Sequence, residues 1–252
     1  ESIRRNCRHA GALRIDHVMR FFRLYWIPEN SDAANGTYVR ERWEDLIRIL
    51  ALESVRNQVV IVGEDLGTVE PVVRETLARF GVLSYRLFYF EKDSRGEYRS
   101  YREYPAQALV SSTTHDLPTL AGFWVNEDIE ARRRAGTFGD TAQYHAALAD
   151  RMKDKQKMLD LLHREGLLPE HFPRRAEELP ELTGELHNAV IGFLALTPSQ
   201  LLAINQEDLT KELAQQNLPA TTWQYPNWSR KMRFTLEQLS RDRAARDFTA
   251  MF

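Results

Sequence analysis

Three acidic residues close three apolar runs. Asp16 ends Leu13-Arg14-Ile15-Asp16-His17, Glu64 follows Val60-Ile61-Val62-Gly63, and Asp116 ends Ser112-Thr113-Thr114-His115-Asp116. A carboxyl pair plus a third acid is what glycosidic bond cleavage needs, because one group protonates the departing oxygen while another faces an oxocarbenium-like carbon. Arg14 lies two residues before Asp16, so on an extended strand both side chains share a face and the guanidinium can keep the carboxylate ionised. Asp16 is the nucleophile of this scheme. Glu64 is its acid/base and must hold a proton at rest, through desolvation or neighbouring carboxylates. Asp116 would bond sugar hydroxyls, with His115 donating to the same region as charge develops. Each acid taken singly reads more readily as a cap or turn former, and it is the joint pattern that favours chemistry. A different class, a metal-dependent barrel hydrolase, would use Asp16, His17, Glu64, His115 and Asp116 as ligands; the sequence has neither a His-x-His pair nor a strand-end lysine to support it, and no metal or cofactor is expected.

Elements must bring these residues together. Apolar runs at 12–15, 59–62, 82–90, 108–110 and 201–204 read as buried strands. Between them, segments at 40–57, 69–80, 119–134, 144–165 and 176–197 carry apolar residues at helical spacing. The alternation predicts right-handed βαβ units around a parallel sheet, either open and doubly wound or part of a (β/α)8 barrel. Ligand sites in such folds form beyond the carboxyl ends of the strands, which is where all three acids fall. Thr68 is expected to cap a helix starting near Val69, with Pro71 in its first turn. The stretch 164–180, rich in proline and charge, reads as a linker between helices, and 35–39 as a hinge before the next helix.

Composition narrows the class further. The 252 residues are 43% hydrophobic, enough for a substantial core, and Lys+Arg 34 against Asp+Glu 36 leaves a net charge of −2. No basic field exists to attract nucleic acid or an anionic membrane, and no apolar run reaches the roughly 20 residues of a membrane span. The single cysteine, Cys7, cannot form an internal disulfide, which fits a reducing, cytoplasmic location. Of nine aromatics that could stack on sugar rings, most are expected in the core, with Trp26 and Trp124 kept as candidates because they follow catalytic strands. His9, His145, His163, His171 and His187 read as solvated surface residues. The run Ala131-Arg132-Arg133-Arg134 reads as a solvated helix end.

The segments Leu13-Arg14-Ile15-Asp16-His17, Phe22-Arg23-Leu24-Tyr25-Trp26-Ile27-Pro28, Gly63-Glu64-Asp65-Leu66-Gly67 and Thr113-Thr114-His115-Asp116-Leu117-Pro118 resemble glycoside hydrolase family 77, the amylomaltases. Gln206-Glu207-Asp208-Leu209, Asn217-Leu218-Pro219 and Tyr225-Pro226-Asn227-Trp228 extend the likeness over nearly the whole chain. The resemblance implies a (β/α)8 TIM-barrel type fold and 4-α-glucanotransferase chemistry on α-1,4-glucans and maltooligosaccharides. Asp16, Glu64 and Asp116 are then nucleophile, acid/base and transition-state stabiliser, supported by Arg14 and His115, with Asn217 at a sugar-binding position. It also implies that residues 1–252 are the C-terminal portion of the barrel, about strands four to eight, and need an N-terminal half that is missing here; alone, the chain would be inactive, weakly active or only glucan-binding. Arg20 and Ala220 stand where the family usually has glycine.

Overall fold

The computed structural model describes residues 1–251. The chain divides into two units, one of Glu1–Arg86, Pro105–Leu109 and Ser199–Leu201, the other of Leu87–Tyr104, Val110–Pro198 and Leu202 onward.

The expected strands form in the expected order. In the first unit a short helix α1 (Ser2–Cys7) leads into β1 (Ala12–Ile15); β2 (Arg23–Trp26) and β3 (Thr37–Arg40) follow, then α2 (Trp43–Asn57), β4 (Val60–Gly63), α3 (Pro71–Arg79) and β5 (Leu83–Leu87). β1 pairs with β4 in parallel, Ala12 opposite Val60 through Ile15 opposite Gly63, and β4 pairs with β5 in parallel at Val62–Leu83 and Gly63–Ser84. With β6 (Ala108–Ser111) and β7 (Leu201–Ala203) the sheet order is β1-β4-β5-β6-β7. A crossover helix between successive parallel strands is what their shared direction demands.

Apolar side chains at helical spacing bury one face of each crossover helix. Ile47 and Leu50 of α2 and Val73 and Leu77 of α3 pack with Ile61 and Val82. Truncating a fully buried leucine such as Leu50 costs about 2–5 kcal/mol. Glu53 shares the buried face of α2, and Arg4 satisfies it with Nη2 at 2.9 Å from Oε1. The capping expectation for α3 needs correction: the helix begins at Pro71 with Glu70 at the cap position, and Thr68 lies outside it. Proline needs no N–H partner in the first turn, so it sets the start.

β2 and β3 are a correction too, since 37–40 is a strand and not a hinge. They form an antiparallel hairpin, Arg23 opposite Arg40 and Trp26 opposite Thr37. The Tyr25 and Tyr38 rings meet edge-on at 5.0 Å, and the Arg23 guanidinium lies 3.9 Å from the Tyr38 ring centroid. Gly36 is required in the connection, because a Cβ there would lie 2.8 Å from the Trp26 carbonyl oxygen.

The second unit is helical: α4 (Leu120–Val125), α5 (Glu127–Arg134), α6 (Thr141–Arg164), α7 (Gly184–Ala195), α8 (Gln206–Leu209), α9 (Leu236–Arg241) and α10 (Arg243–Thr249). The single helix expected over 119–134 breaks at Asn126, whose left-handed backbone (φ 66°) ends α4 and starts α5. Arg133 and Arg134 pair with Glu130 and Glu127 on their own helix, as a solvated helix end requires. The stretch 164–180 does link two helices, lying between α6 and α7, and it is packed, since Leu168, Phe172 and Leu179 join the core. The helix expected from 176 begins only at Gly184, where the Thr183 hydroxyl accepts from the Leu186 N–H. Trp124 is core and not a sugar platform; it is 1% exposed and its indole N–H donates to the Leu179 carbonyl at 2.8 Å. Phe88, Tyr89, Phe123 and Tyr225 are likewise buried, while Tyr25, Trp26, Trp223 and Trp228 are exposed. His187 corrects the surface expectation: it is buried on α7, against Phe248.

Candidate active site

The first unit brings two carboxyls, Asp16 and Glu64, together from two adjacent parallel strands. Asp16 and Glu64 directly follow β1 and β4, and the pairing continues past the strand ends as the Glu64 N–H donates to the Ile15 carbonyl at 2.9 Å. Gly63 lets the return packing close, since a Cβ there would sit 3.2 Å from Val18 and Val82 methyls. His17 then adopts a left-handed conformation (φ 45°, ψ 56°), turning the chain so that its own N–H points back to Glu64.

Each carboxyl has its own anchors. Arg14 Nη2 lies 2.7 Å from Asp16 Oδ1, the same-face contact that the two-residue spacing predicts. Both groups are partly solvated, so the pair adds about 0–1 kcal/mol of stability and acts chiefly by orienting the carboxylate. The Arg14 guanidinium is itself held 5.5 Å over the Tyr85 ring. Glu64 is buried, its Oε2 accepting the His17 N–H at 2.8 Å and its Oε1 the Leu66 N–H at 2.8 Å. One oxygen each of Asp16 and Glu64 and a ring nitrogen of His17 all lie within 4.8 Å of one another. That closeness is compatible with a retaining glycosidase pair, whose carboxyls stand about 5–5.5 Å apart. Those same three residues are the group that could hold a metal. A cation there would face the Arg14 guanidinium on Asp16 Oδ1 and two backbone N–H donors already seated on Glu64, so the donor set is unfavourable.

The adjacent acid, Asp65, was not singled out by sequence reasoning. It is 1% exposed, its Oδ1 accepts the Tyr85 N–H at 2.9 Å, and Arg74 and Arg86 lie 3.4 and 3.5 Å from its Oδ2. It ties the residue next to Glu64 to β5. Trp26 sits on β2, 59% exposed, in the apolar surface of the hairpin. Arg20 lines an open cleft of about 440 Å³ together with Leu13, Arg14 and Asp16.

The second unit builds the third acid into a polar cluster. His115 Nε2 lies 3.3 Å from Asp116 Oδ2, and the Asn217 side-chain amide donates to Asp116 Oδ1 at 2.6 Å. The Asn217 N–H donates to the His115 carbonyl at 3.0 Å, and Gln215 Nε2 to the Asp116 carbonyl at 3.2 Å. Trp228, at a left-handed φ of 56°, places its ring 4.9 Å from the His115 ring. Sequence reading anticipated Asp116, His115 and Asn217 and missed Gln215; Trp228 was present only as one of many aromatics. A further acid, Asp208, is wholly buried, and burial pushes its carboxyl up to about 6 against the opposing effect of hydrogen bonds from Ser112 and Leu120.

Parallel strands joined by crossover helices, with a close carboxyl pair beyond the strand ends, define a fold of the (β/α)-barrel type. The 4-alpha-glucanotransferase family model, glycoside hydrolase family 77, matches residues 1–237, and the chain belongs to that family. It is 37% identical over 243 residues to a 4-alpha-glucanotransferase of Haemophilus influenzae, covering 96% of this chain and 34% of that protein. It is 39% identical over 228 residues to the 4-alpha-glucanotransferase of Mycobacterium tuberculosis, covering 88% of this chain and 30% of that one. The crystal structure of amylomaltase from Corynebacterium glutamicum superposes with a TM-score of 0.90 at 35% identity, over 98% of this chain and 36% of that chain. Amylomaltase from Streptococcus agalactiae in complex with acarbose, 18% identical, shares the fold at a TM-score of 0.61, over 95% of this chain and 41% of that one. The chain thus spans about a third of the length of the 4-alpha-glucanotransferases it matches.

Proposed function

We propose that residues 1–252 form the C-terminal portion of the catalytic barrel of a 4-α-glucanotransferase, about strands four to eight, which moves a segment of an α-1,4-glucan to the 4-hydroxyl of an acceptor glucan or glucose. The observation that carries the reading is the Asp16–Glu64 pair, held within 4.8 Å and separately anchored by Arg14 and by two backbone N–H groups. Asp16 attacks the anomeric carbon and the C1–O4 bond breaks as Glu64 gives its proton to the leaving 4-oxygen. The resulting glycosyl ester on Asp16 is then opened by the acceptor 4-hydroxyl, whose proton returns to Glu64. Asp116, His115 and Asn217 bind sugar hydroxyls as charge develops, and Trp26 offers an exposed ring face to a glucose unit. Water competes as acceptor, so the balance of transfer and hydrolysis rests on how well the acceptor site excludes it.

Partners in this reading are maltooligosaccharides and longer α-1,4-glucans, with no nucleic acid and no membrane. Among the described residues no helix is long and apolar enough to cross a membrane. The free, buried thiol of Cys7 supports a cytoplasmic setting. β1 and β7 stand at the two ends of the sheet order, which supports the need for further strands to complete the barrel.

The test is to incubate the full-length protein that carries this chain, its Glu64→Gln variant, and the chain alone with maltotriose and separate the products. Glucose together with longer maltooligosaccharides from the full-length protein only is the expected result. Activity surviving in the Glu64→Gln variant would overturn the mechanism, and binding without turnover by the full-length protein would leave only a glucan-binding role.

A further inference from the structure

The loop that carries His115 and Asp116 is stapled from the far side of the sequence. It runs from the end of β6 to Leu120, the first residue of α4. Asp208, on α8 and 0% exposed, reaches both of its ends: the Ser112 hydroxyl donates to its Oδ2, and the Leu120 N–H donates to its Oδ1 at 2.7 Å. Neighbours on the same segment take the points between. Asn205 Nδ2 donates to the Ser111 hydroxyl at 3.1 Å and to the Thr113 carbonyl at 3.0 Å, and the Thr119 hydroxyl donates to the Glu212 carbonyl at 2.5 Å. Gln215 and Asn217 then hold the crest at Asp116.

We infer that Asp208 is a positioning residue for Asp116, the charged base of a clamp that fixes both ends of the 112–120 loop. The inference rests on the transferase reading for its effect on turnover. A carboxylate suits the place, because it accepts two hydrogen bonds from opposite directions in one plane, and charge-assisted bonds are shorter and stronger than neutral ones. The Leu120 N–H is one of the donors that the start of α4 leaves without an intrahelical partner, so Asp208 completes that helix end from outside it. Removing the carboxyl leaves two buried donors, Ser112 and Leu120, facing a dry cavity, and relaxation must come from the loop. Asparagine at this position can accept from the Leu120 N–H with its oxygen and donate to the Ser112 hydroxyl with its amide, which preserves the staple without the charge.

The experiment compares full-length wild type with Asp208→Ala, Asp208→Asn and Ser112→Ala, measuring maltotriose disproportionation and amide hydrogen exchange. Expected for Asp208→Ala is a fall in kcat of about 100-fold with KM little changed, as a displacement near 1 Å can produce, and faster exchange confined to residues 112–120. Asp208→Asn restores both readouts to near wild type, and Ser112→Ala gives a smaller fall in the same direction, which keeps the test open should Asp208→Ala fail to fold. Wild-type kcat in Asp208→Ala and Ser112→Ala, or exchange rising throughout the second unit instead of in the loop, would overturn the clamp. An inactive wild type would sink the transferase reading, and the confined exchange change would still decide the clamp.

Discussion

The backbone N–H of His17 donates to Glu64 Oε2 at 2.8 Å, so the residue after one carboxylate fixes the position of the other. The bond exists because His17 is left-handed, and a β-branched side chain resists that conformation. His17→Val should therefore cost about 1–2 kcal/mol of stability and lower kcat, while His17→Asn should keep both near wild type. Urea unfolding alongside maltotriose kinetics checks it; equal behaviour of the two variants would show that the turn does not orient Glu64.

Glu64→Gln keeps the shape of the side chain and removes the proton. In the proposed mechanism this abolishes general acid catalysis and should lower kcat by about 100- to 10,000-fold on maltotriose. A glucosyl donor whose leaving group needs no protonation should recover the first step, seen as a burst of leaving group. Absence of the burst would place the defect in binding.

Asp208 makes stability depend on pH. Its folded pKa, about 6, lies above the ordinary 3.8, so between these values the folded state binds more protons than the unfolded one and stability falls as pH rises. Relative to Asp208→Asn, the wild type should gain on the order of 3 kcal/mol on going from pH 7 to below pH 4. Denaturant titrations of both proteins at the two pH values measure the difference, and parallel behaviour would refute it.

Glu53 has the opposite sign. The hydrogen bond from Arg4, with desolvation opposing, holds its carboxyl down at about 2 from an ordinary 4.5. Stability from this group is present above pH 4.5 and is lost as pH falls towards 2. Arg4→Ala should move the acid-unfolding midpoint to higher pH, followed by circular dichroism.

Ala220 occupies a left-handed position, φ 63°, where the family resemblance expects glycine. Its loop is tied by Asn227, whose Oδ1 accepts the Leu218 N–H at 2.8 Å, so the conformation is imposed on the alanine. Ala220→Gly should stabilise by about 0.5–1 kcal/mol, the strain relieved exceeding the entropy added to the unfolded chain. A melting temperature that fails to rise would show that the loop adapts.

What the sequence makes legible follows from where the physical signal is local. Ile61 and Val62 lie in an unbroken β-branched run, and Arg14 and Asp16 sit at the strand spacing that joins them, so β4 and the ion pair could both be anticipated. The β2–β3 hairpin could not, because Trp26 and Thr37 are separated by a long connection with no two-residue turn signal and face solvent instead of a core. His187 was recoverable from its surroundings, since Leu186, Ala189, Val190 and Ile191 make α7 apolar on all sides. Asp208 gave no local signal, as Ser112 and Leu120, which donate to its two oxygens, lie 96 and 88 positions away in sequence.

That distance orders events during synthesis. Ser112 and Asp208 are 96 positions apart, and Asp116 and Asn217 are 101 apart. Domains gain their contacts as the chain leaves the ribosome, N-terminal parts first. A nascent chain that has emerged through α7 already holds Asp16, Glu64 and Asp116, yet none of the residues that grip the Asp116 loop. Premature termination before Asn205 therefore yields a polypeptide with all three acids and an unsupported third, a product that antibodies or mass spectrometry would score as containing every acid of the proposed site.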